Sequence, residues 1–141
     1  PWRFVFALHG TPEFAEFLSV LVEFNQLWAR NAGALVVIAS KSNFDNGNAN
    51  RTAAFDTGSA WMSAALQADR MGLHAHGMAG FDYDRARSVA GLPDGYEVQA
   101  MFALGRPASP EVLPERMRKG EVHSSRKPLA ETAFEGKFIS S

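Results

Sequence analysis

The sequence predicts an α+β fold, a mixed sheet flanked by helices with one long central helix. Two observations carry that expectation. Short runs of strand formers alternate with segments of helical period, in the order strand, helix, strand, long helix, short helix, strand. Two of the strands, Ala34 to Ala39 and Tyr96 to Leu104, are apolar on both faces, which requires cover above and below the sheet.

Taken in order, Trp2 to Leu8 is rich in strand formers and stops at His9 and Gly10, so it reads as a buried strand followed by a turn. Thr11 and Pro12 have the chemistry of an N-cap and first helical position. Phe14, Phe17, Leu18, Leu21 and Val22 then recur at helical spacing and predict a single amphipathic helix. Gly33 marks the start of the Ala34 to Ala39 strand, and the Asn-rich stretch Lys41 to Asn50 is a loop. From about Arg51 to Met71 helix formers dominate, with apolar residues nearly all round the cylinder, so this helix must be buried or shared with a partner. Gly72 ends it. Leu73 to Met78 forms a short extended segment, and Asp82 caps a short helix that finishes at Gly91 and Pro93. In the last strand Val98, Ala100, Phe102 and Leu104 share one face, with Met101 and Ala103 on the other, which makes it central. From Gly105 onward Pro and mixed charge give no sustained period, and a tail wrapping over another surface is expected.

With 141 residues, 46% of them hydrophobic, the chain can fill one domain with a real core. A formal charge of -1 gives no global electrostatic reason to expect nucleic acid or an anionic membrane as partner. The chain has no cysteine, so disulfides, thiolate metal sites and cysteine nucleophiles are excluded. No apolar run approaches the roughly 18 residues of a membrane span, and no charged-then-apolar signal segment opens the chain. A cytoplasmic protein is the simplest expectation. The start at Pro1, without Met and at the edge of a strand, reads as a fragment or a trimmed product.

The sequence has no Gly-x-Ser-x-Gly elbow, Walker loop or His-Glu-x-x-His helix, which favours cofactor chemistry over side-chain catalysis. No side chain is assigned a catalytic role. His74 and His76 fall on one strand face, but no third ligand accompanies them and two exposed polar residues explain them better than a metal. Met78, Ala79 and Gly80, with Gly77 before them, lead into a helix cap, where backbone amides can meet a flat or anionic ligand; on sequence alone a plain tight turn explains the glycines better. Arg116, Arg118, Lys119, Arg126 and Lys127 form the densest basic cluster. Arg126, beside Ser124 and Ser125, has the fork and hydroxyls that suit a phosphate monoester, against the alternative of a solvated tail. Asn25, just after the amphipathic helix, can offer a donor and an acceptor to the imide edge of a ring, or simply terminate the helix. Trp28 and Trp61 are assigned to the core.

Several of these segments together resemble the nitroreductase family. Pro1, Trp2, Arg3 and Phe4 look like the end of its Ser-x-x-Asn-x-Gln-Pro-Trp-x-Phe motif, and Ala34 to Ala39 like the strand that follows. Asp56, Ala60, Ala64, Ala65 and the Met71, Gly72, Leu73 ending resemble its long central helix. Gly80, Phe81, Asp82, then Leu92, Pro93, Gly95, Tyr96, Glu97, then Ala103, Leu104, Gly105, Pro107 resemble its most recognisable stretch, and Ser125 to Leu129 its C-terminal phosphate-binding segment.

The resemblance implies one nitroreductase-like domain over 1–141, truncated before Pro1, where the family's Arg-Ser-x-Arg segment and the Ser-x-x-Asn-x-Gln half of the first motif would lie. It further implies a homodimer with FMN at the interface, and the long helix as much of the contact. Asn25 would meet the polar edge of the flavin, Met78, Ala79 and Gly80 would line its reactive side, and Arg126 with Lys127 would hold the phosphate. The activity implied is ping-pong transfer of hydride from NADH or NADPH through FMN to an acceptor such as a nitroaromatic or a quinone. The alternative is a non-catalytic flavin- or ligand-binding dimerisation module.

Overall fold

A computed structural model describes residues 1–138 of the chain. It divides into two compact units, the first Pro1–Ser109 and the second beginning at Pro110. The first unit is of the expected α+β class. Strands β1 (Trp2–Leu8), β2 (Ala34–Lys41), β3 (His74–Met78) and β4 (Tyr96–Gly105) form one sheet in the order β1-β2-β4-β3. All three pairings are antiparallel, with Phe6 opposite Val36, Val37 opposite Met101, and Met78 opposite Met101 from the other side.

The helices are α1 (Pro12–Ser19), α2 (Glu23–Ala29), α3 (Ala53–Arg70) and α4 (Tyr83–Val89). Side-chain alternation along the strands divides the core in two. On one face Leu35 and Val37 of β2, Met101 and Ala103 of β4, and Met78 of β3 pack against Phe14 and Phe17 of α1, Ala29 of α2 and Ala86 of α4. On the other, Val36, Ile38 and Phe102 pack with Phe4, Ala75 and Trp61 of α3. Strand β2 is therefore buried on both faces, and β4 lies inside the sheet, as their apolar runs require. Trp28 and Trp61 each lean on one of these clusters, which agrees with their assignment to the core.

Four expectations need correction. A register shift opposite Ile38 and Ala39 breaks the alternation of β4, so Val98 packs with the Met101 and Ala103 cluster and not on the face of Phe102 and Leu104. Strand β1 is an edge strand and not a buried one: Phe6 and Leu8 are 65% and 54% exposed. A run of strand formers identifies the strand but carries no information about what covers it. The single helix expected after Thr11 is two helices, interrupted at Val20–Val22, because Leu21 leaves the helix to bridge Phe81. Asn25 consequently lies within α2 and not after a helix end, so terminating a helix is not its role. The caps read from sequence are in place: Thr11 Oγ1 accepts from Phe14 N at 3.3 Å and Asp82 Oδ1 from Arg85 N at 3.0 Å. Gly72 closes α3 with a φ of 69°, a conformation that favours glycine.

The second unit contains a 3₁₀ turn at Pro110–Val112, a short helix α5 (Glu115–Arg118) and a 3₁₀ turn at Leu129–Glu131. Within it Arg118 donates to the carbonyls of Leu113 and Glu111, both at 2.8 Å, so one member of the basic cluster is spent on local structure.

Candidate functional site

The site is assembled where the α1–α2 break meets the end of β3. Three backbone-directed bonds join them. Asp82 N donates to Val20 O at 2.8 Å, Val22 N donates to Gly80 O at 3.0 Å, and the Asn25 side chain donates through Nδ2 to the same Gly80 oxygen at 3.0 Å. Arg85 of α4 adds a fork to Ser19 at the end of α1, with Nη1 on the carbonyl at 3.1 Å and Nη2 on Oγ at 3.0 Å. The structure thus brings together Asn25 and the Met78–Gly80 segment, 55 residues apart in the chain.

Gly80 is closed in by its neighbours. A Cβ there would lie 2.7 Å from Asn25 Nδ2 and 3.0 Å from Val22 Cγ2, so nothing larger than glycine fits without displacing one of them. Gly77 has a comparable explanation on the other face of β3, where a Cβ would meet the Trp61 ring at 3.2 Å. Protein packing therefore accounts for both glycines of the motif.

What remains available at this corner is backbone. Phe81 N donates to Ala79 O at 3.1 Å, while, among the described residues, the N–H groups of Ala79 and Gly80 donate to nothing. Ala79 is exposed and Gly80 half-buried, and their adjacent amides, unpaired among the described residues, are the donor step of this corner. Such a step suits the acceptor edge of a planar heterocycle. Asn25 keeps its Oδ1 free of any partner among the described residues. Met78 is 5% exposed with its side chain in the core, so it anchors the step and offers a ligand no side-chain atom.

Arg126 and Lys127 belong to the second unit. Both are exposed; Arg126 Nη1 donates to Ser124 Oγ at 2.6 Å, and Lys127 Nζ lies 4.0 Å from the Glu131 carboxylate. His76 packs at a tilt of 52° against Trp28 of α2, ring centroids 4.6 Å apart, and the described residues hold no group of three side chains able to take a metal. A separate open cleft between β2, β4 and the start of α3 is lined by Ser40, Ser42, Asn50, Arg51, Glu97 and Gln99. There Gln99 Nε2 donates to Ser40 Oγ at 2.8 Å. No helix among the described residues is long and apolar enough to cross a membrane.

Missing from the sequence reading were the Val22 amide and the break that exposes it. The apolar period runs through Leu21 and Val22 without interruption, and no capping residue marks the start of α2, whose N-cap is Val22 itself.

With this geometry in view, the chain belongs to the nitroreductase family, which its residues 6–106 match. An uncharacterised 15.4 kDa protein from the ask 5′ region of Mycolicibacterium smegmatis is 33% identical over 125 residues, covering 86% of this chain and 82% of that protein. An oxidoreductase containing FMN superimposes with a TM-score of 0.94 at 40% identity, over 100% of this chain and 73% of its own. The NADPH:FMN oxidoreductase of Vibrio harveyi complexed with NAD+ superimposes with a TM-score of 0.73 at 18% identity, over 99% and 60%, a likeness of fold alone.

Proposed function

We infer that this chain is an FMN-dependent oxidoreductase that takes reducing equivalents from NADH or NADPH and passes them to a small acceptor such as a nitroaromatic or a quinone. What carries this is the Ala79–Gly80 donor step, held from behind by Asn25, in a chain 40% identical along its whole length to an oxidoreductase containing FMN. When bound, FMN supplies the hydride chemistry, in two half-reactions separated by exchange of nicotinamide for acceptor.

The chain's own contribution is binding and orientation. Ala79 and Gly80 offer two preset N–H donors to the ring, which cost no reorganisation during reaction. Arg126 and Lys127 supply charge for the phosphate, and the Arg126 fork already lies within reach of a serine hydroxyl that can join it there. Homodimerisation is part of the same proposal. Phe55, Met62 and Leu66, at i, i+7 and i+11 on α3, form a stripe 76%, 53% and 59% exposed in the single chain. A second copy would cover it. A cytoplasmic location completes the proposal.

The test is a visible-absorbance titration of the chain with FMN, followed by anaerobic NADH or NADPH. Binding with bleaching of the flavin band is expected. Binding without bleaching by either nucleotide refutes the oxidoreductase assignment and leaves a flavin-binding module. Arg126→Ala is expected to weaken FMN binding about tenfold or more, as loss of a charge-assisted contact does; unchanged affinity removes Arg126 from the phosphate site.

A further inference from the structure

We propose that Asn25 is a positioning residue: its side-chain amide, acting with the Val22 N–H, fixes the Gly80 carbonyl and with it the direction of the Gly80 N–H, which stands as a preset donor beside that of Ala79. This rests on the flavin assignment above, and it changes the role of Asn25 from touching the ring to holding the backbone that does.

A peptide group is planar, so fixing one end fixes the other. The Gly80–Phe81 peptide is held at both ends, its carbonyl by Val22 N and Asn25 Nδ2 at 3.0 Å each, its N–H by donation to Ala79 O at 3.1 Å. The preceding peptide carries that Ala79 oxygen and the Gly80 N–H on opposite sides. With the Ala79 oxygen held by Phe81 N, the Gly80 N–H is held pointing away from that bond. Asn25 is the one side chain in this chain of constraints, and it alone can be altered without deleting a backbone group. Its contact is closed, since Gly80 has no room for a Cβ between Asn25 Nδ2 and Val22 Cγ2.

A purely structural role would make Asn25 a staple between α2 and the end of β3. The adjacent Gln26 provides the control. Its Nε2 donates to Leu21 O at 2.7 Å, a similar side-chain-to-backbone bond from the same helix to the same junction, but one that does not touch Gly80.

The experiment uses the full chain with Asn25→Ala, Asn25→Asp and Gln26→Ala. Three quantities are measured: thermal midpoint without cofactor, FMN dissociation constant, and two-electron midpoint potential of bound FMN. All three variants are expected to lower the thermal midpoint. Only the Asn25 variants are expected to weaken FMN, by about tenfold at most for one neutral hydrogen bond. Only they should displace the potential, a tenfold change in preference between redox states reading as about 30 mV. Asn25→Asp should recover toward wild type as the pH falls and its carboxyl protonates, because the acid form regains a donor for the Gly80 carbonyl. If the Asn25 variants match Gln26→Ala in both affinity and potential, Asn25 is a staple and the proposal is wrong.

The flavin assignment can fail separately. Should the wild-type chain bind no FMN, the order parameter of the Gly80 N–H in the cofactor-free chain still decides. It should fall from the rigid range near about 0.85 in Asn25→Ala and hold in Gln26→Ala; equal values in the two variants overturn the positioning role.

Discussion

Gly80→Ala places a methyl group 2.7 Å from Asn25 Nδ2 and 3.0 Å from Val22 Cγ2, where an ordinary contact begins near 3.4 Å. Neither neighbour can simply swing away. Asn25 Nδ2 is bonded to the Gly80 carbonyl, and the Val22 main chain donates to that same oxygen. Relief therefore means giving up the Asn25 bond or shifting the α1–α2 junction against the end of β3. Backbone strain adds nothing, because Gly80 is not among the glycines with positive φ. Overpacking of this kind costs about 1–3 kcal/mol, and the lost hydrogen bond about 1 kcal/mol, the two being alternatives in part rather than a sum. A loss of about 2 kcal/mol is expected. In a chain of this size that lowers the thermal midpoint by roughly 6–8 °C. Far-UV circular dichroism of the full chain reads it, and a second measurement identifies the cause: Asn25→Ala added to Gly80→Ala should recover part of the loss, a non-additivity of about 1 kcal/mol. A midpoint within about 1 °C of wild type, or strict additivity of the two substitutions, refutes the steric clamp.

Other consequences can be checked with the same assays. Gly77→Ala should cost less than Gly80→Ala, about 1 kcal/mol or below, because the atom at 3.2 Å belongs to the Trp61 ring, which can tilt. Equal costs in urea denaturation would show that the two glycines are not distinguished by what faces them. Asp82→Ala removes the cap on Arg85 N and should cost about 1 kcal/mol, with Asp82→Asn retaining most of it. Asp45→Asn addresses pH. The bond from Lys41, and then its charge, hold the Asp45 carboxyl below its ordinary value of 3.8, while the same bond raises Lys41 above 10.5. The pair's contribution is therefore complete between those ordinary values, is lost as pH falls through the lowered Asp45 value, and is lost again as pH rises through the raised Lys41 value. Wild type and Asp45→Asn should differ slightly at neutral pH, less so in high salt since both groups are exposed, and converge in acid; a gap that persists in strong acid would contradict the ion pair.

Local chemistry made most of the frame legible. Continuous apolar runs identified β2 and β4 as covered strands, and Thr11, Gly72 and Asp82 marked helix ends because each acts on its own neighbours in sequence. The features that escaped are set by distant partners. Nothing near Leu21 opposes helix; the helix stops there because Val20 and Val22 find main-chain partners at Asp82 and Gly80, some sixty positions away. The exposure of Phe6 and Leu8 likewise follows from where α3 lies across the sheet, not from anything in β1.

The candidate site was legible in its parts and not in its wiring. Asn25, Ala79 and Gly80 were each marked by chemical type, but the type of Asn25 suggested a direct contact with a ring, and that of Gly80 a close approach by one. The structure joins the two to each other. That changes which substitutions are informative. Were both residues ligand contacts, altering either would affect binding and leave the empty protein almost untouched. Because they are mutual packing partners, Gly80→Ala must disturb the cofactor-free fold, and under the positioning role proposed above Asn25 substitutions reach the cofactor through the backbone. Stability of the chain without FMN and potential of the chain with it therefore separate the two arrangements, whereas an activity assay alone would report a loss in either.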